Sequence, residues 1–258
     1  MLSLWLADAA LVLGMMSLLW LLSVHKSDVS IVDPWWSFGF LVITLQGVLR
    51  TERTPAKLLL LGLVATWSLR LWAHLLWRSR GRPEDPRYAA FRQRFGPQRY
   101  WWLSYFQVFL LQGLLMLIIS APLVVATAAA PPDPIGPAQL VGAALVVVGF
   151  FFEAIADHQL TTFRGDPARR GQVLDRGLWR YSRHPNYFGE ALLWWGYYVL
   201  ALPQPYGWAT IFAPALMSFL LLRVSGVTML DAHLSRTKPG YAEYVRRTSA
   251  FFPRPPRA

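Results

Sequence analysis

Seven apolar runs, each close to the ~20 residues that cross a bilayer core, leave this chain little choice of fold. They cover roughly 3–24, 31–49, 57–77, 104–127, 138–160, 186–202 and 207–230. Only 15% of the 258 residues are charged and 55% are hydrophobic, against about 25% charged in a soluble domain. The expected fold class is an all-α polytopic membrane protein of about seven transmembrane helices, built as a single transmembrane domain over 1–258. The lack of Cys excludes a disulfide scaffold and a sulfur-ligated metal site, and the 15% aromatic content excludes disorder. The first run is too long and too weakly basic at its start for a cleaved signal peptide, and no A-x-A site follows it. The second is the least regular, because Asp33 and Pro34 stand at its start.

The formal charge of +11 invites a nucleic-acid reading, which its distribution removes. One side of the membrane receives Lys26, seven Arg from Arg78 to Arg99, six Arg from Arg164 to Arg183, and six Lys or Arg from Arg236 onward. The other side receives Arg50, Arg53 and Lys57, while Arg70 and Arg223 fall inside spans. The positive-inside rule then places the N-terminus outside and the C-terminus in the cytoplasm. The excess first orients the chain, and a subset can still serve an anionic ligand.

Ionisable residues at bilayer depth cost several kcal/mol on most scales, so each is a functional candidate. The fifth run ends with Glu153, Asp157, His158 and Arg164, and the first two lie one helical turn apart. Such a carboxylate stripe suits ribose hydroxyls or an amide, with the Arg on a phosphate; a helix end emerging into water reads the same way. The sixth run opens Tyr181-Ser182-Arg183-His184-Pro185-Asn186-Tyr187-Phe188-Gly189-Glu190. Pro185 suits an early helical position, and the free N–H groups there favour an anion. In the third run Arg70 and His74 share a face, either as functional groups or as packed core. Arg223 calls for a buried anion such as Asp157, Glu190, Asp231 or a ligand phosphate. Asp33 is either a proton or hydrogen-bond donor in apolar surroundings or the N-cap of the helix at Pro34. The His residues at 74, 158, 184 and 233 show no metal-ligand spacing, so no metal is expected. G-x-G-x-x-G, the P-loop and a nucleophile elbow are all missing. The tail Phe251-Phe252-Pro253-Arg254-Pro255-Pro256 is not helical and is expected along the membrane surface.

The string YSRHPNYFGE from Tyr181 to Glu190 resembles the cofactor motif of the steroid 5-alpha-reductase family and the related sterol reductases. The loop Arg80-Gly81-Arg82-Pro83, followed by Glu84-Asp85-Pro86-Arg87-Tyr88, and the C-terminal stretch from Tyr241 look like a bacterial branch of it. The resemblance implies a seven-helix reductase that binds NADPH from the cytoplasmic side, with residues 104–258 holding the cofactor and 1–103 facing substrate. Its cofactor pattern falls on Glu153, where the family has Asn, on Asp157 and Arg164, on Asn186 and Glu190, on Arg223 and on the loop pair Arg80 and Arg82. Tyr181, Arg183, His184 and Tyr187 join this set through the same string. The Gln-Glu pair and the Tyr with which steroid reductases polarise a 3-oxo group are missing from the second and third runs. Asp33, His74 and Tyr88 are the candidate catalytic donors instead.

The expected activity is hydride transfer from NADPH to the C=C of a lipophilic enone, steroid-like or isoprenoid. A hydrogen-bond donor would stabilise the charge that develops on oxygen. The rival enzyme is a membrane methyltransferase of the isoprenylcysteine type using S-adenosylmethionine, which carries a similar R-H-P-x-Y-x-G string. A non-enzymatic lipid-binding protein is a third possibility. The expected partners are the lipophilic substrate and membrane lipid, with no nucleic acid and the oligomeric state open. The expected location is the bacterial inner membrane.

Overall fold

The computed structural model describes residues 1–130, 133–224 and 227–257, apart from the side chains at 228–230, 232 and 233. Twelve α-helices run in order among these residues: α1 (Leu2–Lys26), α2 (Val32–Arg50), α3 (Pro55–Ser79), α4 (Pro86–Phe95), α5 (Pro97–Ser104), α6 (Leu111–Ile119), α7 (Ala121–Thr127), α8 (Pro137–Gly165), α9 (Pro185–Ala201), α10 (Phe212–Phe219), α11 (Val227–Thr237) and α12 (Tyr241–Arg247). Six stretches are long and apolar enough to cross a membrane: Leu2–Lys26, Val29–Arg50, Pro55–Ser79, Pro97–Ile119, Pro137–Gly165 and Gly207–Val224. The seventh expected span is α9, whose 17 residues reach about 26 Å at 1.5 Å each, a little short of the ~30 Å core. Large apolar side chains point outward along the spans, with Leu6 63%, Leu18 64% and Leu140 61% exposed, a pattern that lipid satisfies and water does not. The chain is an all-α polytopic membrane protein.

Local sequence explains several boundaries. Asp28 accepts a hydrogen bond from the Ser30 amide and caps the single turn Val29–Ile31, and α2 follows at Val32. Asp33 and Pro34 therefore lie inside the first turn of α2, where Pro is tolerated. The expected span 104–127 starts earlier, at Pro97, passes a π-helical turn at Tyr105–Leu110 and breaks at Ser120. Pro122 has no N–H to offer Ile118, which ends α6 there. A second π-helical turn, Leu220–Val224, follows α10, and the remainder of the expected span 207–230 crosses 225–226, outside the described residues.

Two compact units make up the chain: Met1–Ile135 with Pro203–Gly207, and Gly136–Leu202 with Trp208–Ala258. In the first, α2 packs on α3 around Phe40, Leu60, Val64 and Trp67. Ser68 donates to the Ser37 carbonyl across that contact. Within the apolar α1, Asp8 is buried and accepts a 2.8 Å hydrogen bond from Gln46 of α2.

In the second unit, α8 and α9 are antiparallel and touch backbone to backbone. A Cβ at Gly149 would stand 2.5 Å from the Gly189 carbonyl oxygen, and one at Gly142 would stand 2.8 Å from that of Gly196. Both pairs are seven residues apart on their helix, so they form one seam. Small residues that let backbones approach closely are how helices associate without a hydrophobic driving force. Residues 166–180 fold back on the end of α8, where Ala156, Phe163, Leu174 and Trp179 form a small core. The non-helical tail is fastened to the start of the segment before α9. Ser182 donates through Oγ to the Phe251 carbonyl at 2.7 Å, the Arg254 amide donates to Tyr181 O, and Phe251 is buried against Phe188.

Replacing Gly149 by Val should lower the thermal midpoint in detergent, with a loss of about 1–3 kcal/mol, the usual range for overpacking. Gly62→Ala, where a Cβ meets nothing within 4 Å, should leave it unchanged or raise it by up to about 1 kcal/mol.

Candidate functional site

The loop after α3 is stitched to the start of α2. The Glu84 carboxylate accepts from the Val29 amide at 2.8 Å and from Arg92 at 2.8 and 3.0 Å. Burial alone would raise its pKa, but the Arg92 and Val29 hydrogen bonds outweigh burial and hold it below the usual carboxylate range. The Asp85 amide donates to Ser30 Oγ, and the Asp85 side chain caps α4. This anchoring brings Tyr88 to Asp33. The phenol donates to Asp33 Oδ1 at 2.8 Å and accepts from Gln112 Nε2 at 3.2 Å, while Arg87 lies 3.3 Å from Asp33 Oδ2. Burial first, and Asp33 second, push the Tyr88 hydroxyl well above its ordinary pKa, so it keeps its proton at neutral pH. Asp33 is thus held by Tyr88 and Arg87 rather than acting as a helix cap. His74, the third candidate donor, is half-buried on α3 with its ring 6.3 Å from Trp77. Arg80 and Arg82 are exposed in the turn that follows α3.

The second unit holds the other candidates. Glu153 and Asp157 are both buried on one face of α8, and Arg164, on that face two turns on, emerges exposed at the helix end. Asn186 donates to Asp157 Oδ1 at 3.2 Å, so the acid of α8 and the amide of α9 meet. Their meeting follows from the glycine seam, because Gly189 lies against the backbone of Glu153. Glu190, one turn beyond Asn186, is half-buried. Tyr187 stacks on His184 with the centroids 5.6 Å apart. Tyr181 is exposed, and its carbonyl receives the tail. Arg223 is exposed in the π-helical turn rather than buried against an acid.

Arg183 and His184 have an internal task that their place in the string does not reveal. Arg183 donates to Asp231 Oδ2 at 2.6 Å and to the Val245 and Thr248 carbonyls, and His184 Nε2 lies 3.1 Å from Asp231 Oδ1. Tyr241 also donates to Asp231. Burial would raise the Asp231 pKa, but the His184, Arg183 and Tyr241 hydrogen bonds hold it well below the usual carboxylate range. This brace ties α9, α11 and α12 together at the start of α9. Among the described residues no three His, Asp or Glu side chains gather as a metal site.

Sequence reasoning passed over Asp8, Gln112 and Arg87. Asp8 carried a usable signal, an acid within an apolar run. Gln112 and Arg87 acquire meaning only through contacts made by Tyr88 and Asp33.

Fold and site together define a polytopic helical membrane protein with an acid–amide pair between two tightly packed helices. The chain belongs to the family described as "Protein of unknown function (DUF1295)", which matches residues 19–248. It is 28% identical over 267 residues to an uncharacterized protein of Schizosaccharomyces pombe, across 92% of this chain and 76% of that one. It is also 39% identical to the 3-oxo-5-alpha-steroid 4-dehydrogenase 1 of Bos taurus over 74 residues, which cover 28% of each chain. No solved structure matches it.

Replacing Asp231 by Asn should lower the thermal midpoint at neutral pH. A carboxyl whose folded pKa is depressed stabilises the fold above its unfolded pKa of about 4, and that stability is lost as pH falls through the folded value. The gap between wild type and Asp231→Asn should therefore stay constant from about pH 8 to 5 and narrow below about pH 4.

Proposed function

We propose that this protein is a membrane-embedded, NADPH-dependent reductase acting on the C=C of a lipophilic enone, steroid-like or isoprenoid. The observation that carries the reading is the Asp157–Asn186 hydrogen bond between α8 and α9, with Glu153 one turn before Asp157 and Glu190 one turn after Asn186. Ionisable groups on membrane helices are costly, and a ribose and a carboxamide need acceptors and donors of this kind. The similarity to the bovine 3-oxo-5-alpha-steroid 4-dehydrogenase 1 supports the same chemistry.

The residues fit a dinucleotide. Asp157, Asn186, Glu153 and Glu190 would take its hydroxyl and amide groups, and Arg164 a phosphate. NADPH, when bound, supplies the hydride for the β carbon of the enone. The chain supplies orientation and a hydrogen-bond donor for the oxygen that gains charge. Tyr88 is the best placed donor of its unit, because it stays protonated and is aimed by both Asp33 and Gln112. A carboxylate, a phenol and a carboxamide are the group types that the steroid-reductase resemblance calls for. Here they are drawn from α2, α4 and α6.

In detergent, NADPH should raise the thermal midpoint and S-adenosylmethionine should not; the reverse result would replace the reductase by a methyltransferase. NADPH oxidation with a panel of enones should fall steeply in Asn186→Ala and Asp157→Ala. In Tyr88→Phe it should fall by about 100-fold or more, the usual scale for a lost general acid, with NADPH affinity unchanged. Full activity in both Asn186→Ala and Asp157→Ala would sink the cofactor assignment.

A further inference from the structure

Gln46, near the end of α2, is only 8% exposed. Its Nε2 donates to Asp8 at 2.8 Å, while its Oε1 is buried and has no hydrogen-bond partner within the chain. Most buried polar atoms of folded proteins have found a partner, so an orphaned amide oxygen asks for a donor from outside.

The same side chain lines a cavity of about 550 Å³ between α1 and α2, inside the first unit. That volume lies within the ~300–1,000 Å³ of small-molecule sites. The walls are otherwise mostly apolar, with Ala7 and Ala10 on α1 and the exposed Leu45 and Leu49 on α2. Small side chains keep the α1 wall low, and one turn beyond Ala10 a Cβ on Gly14 would meet nothing within 4 Å. The polar end of the groove is Arg50, the last residue of α2, which is exposed. Asp8 lies within electrostatic reach of Arg50, but it is buried and engaged by Gln46. An apolar groove on a membrane helix, ending in a guanidinium, matches an amphiphile with an anionic head and a hydrocarbon chain.

Gln46 narrows that class. It stands one turn before Arg50, about 6 Å along the helix at 1.5 Å per residue, so the missing donor belongs just beneath the anionic head. A phospholipid with two acyl chains has no donor there, because its phosphate and two esters occupy all the glycerol oxygens. A phospholipid with one chain keeps a free hydroxyl at that place.

We infer that the groove between α1 and α2 binds a single-chain phospholipid. Its phosphate lies on Arg50, its glycerol hydroxyl donates to Gln46 Oε1, and its acyl chain runs along Ala7 and Ala10. Asp33 is 13 residues away on the same helix, about 20 Å at the same rise. The site is therefore separate from the hydrogen-bond donor of the proposed reaction and does not rest on the reductase reading.

The test is native mass spectrometry of the full chain released from phosphatidylcholine nanodiscs. These hold equal traces of palmitoyl lysophosphatidate, its analogue lacking the glycerol hydroxyl, and diacyl phosphatidate. The chain should retain the lysophosphatidate over the analogue by about tenfold or more, the scale of a buried acceptor left unpaired. The diacyl lipid should be retained no better than the analogue. Arg50→Gln should weaken lysophosphatidate and analogue alike, since both carry the phosphate. Ala10→Phe fills the groove from an exposed position and should abolish retention without lowering the thermal midpoint. Equal retention of lysophosphatidate and analogue overturns the inference, as does lysophosphatidate that survives Ala10→Phe. A dimer of the chain that Ala10→Phe dissolves, with no lysophosphatidate held, overturns it in favour of a second copy in the groove.

Discussion

The contact on which the second unit depends is the one between bare backbones along α8 and α9. Gly142 meets Gly196 and Gly149 meets Gly189, at distances where any Cβ would collide with a carbonyl oxygen. In lipid no hydrophobic force drives two apolar helices together, so close packing of small residues must do it. The seam also fixes register. With Gly149 opposite Gly189, the next turns place Glu153 beside the start of α9 and Asp157 opposite Asn186. A sideways or lengthwise shift of one helix would break the hydrogen bond between acid and amide, at a cost of about 1–3 kcal/mol. Packing and polar chemistry therefore select the same geometry.

The first unit obtains its polar group differently. There the organising element is a loop, and acids rather than glycines set its position. Glu84 takes the amide at the start of the Val29–Ile31 turn, Asp85 caps α4, and Pro86 begins that helix. These local devices aim Tyr88 at Asp33, while Gln112 arrives from α6. The string Glu84-Asp85-Pro86-Arg87-Tyr88 is thus scaffold in its first three positions and delivers Arg87 and Tyr88 to Asp33 in its last two.

This difference explains how much the sequence reveals. The spans are legible because a bilayer demands ~20 apolar residues whatever the rest of the fold does. The stripe of Glu153, Asp157 and Arg164 is legible because helical period alone places it on one face. Asp157 with Asn186 is foreshadowed, since each stands on a motif of its own, although their pairing depends on the register of the glycine seam. That seam has a visible signal as well, two glycines seven residues apart in each of two apolar runs. Gln112 is illegible, because nothing near it marks it and its partner lies 24 residues away. The same holds for Arg183, whose motif suggests a ligand anion while its partner is Asp231, 48 residues on. The partners of the tail are illegible for a related reason. Its composition excludes helix, but only the Ser182 and Tyr181 hydrogen bonds decide what it lies against.

The net charge of +11 separates into three physical uses once the contacts are known. Arg92 and Arg183 are consumed by Glu84 and Asp231, and they act as braces that would work equally well in a neutral protein. Exposed arginines on the non-spanning segments, such as Arg80 and Arg82, are the charges from which the positive-inside expectation is drawn. Arg169, which is also paired with Asp166, Arg176 and Lys238 show a third use, each resting its charge over the Phe163 ring. A brace requires one acid per base, and a topological signal does not require charges to share a single ring. Long basic side chains on an otherwise open surface spread apart to reduce their repulsion. Here the segment after α8 holds two of them, and the segment after α11 a third, within 6 Å of the centroid of Phe163 on α8. Folding brings these charges together against their mutual repulsion, with the faces of the Phe163 ring as partial compensation.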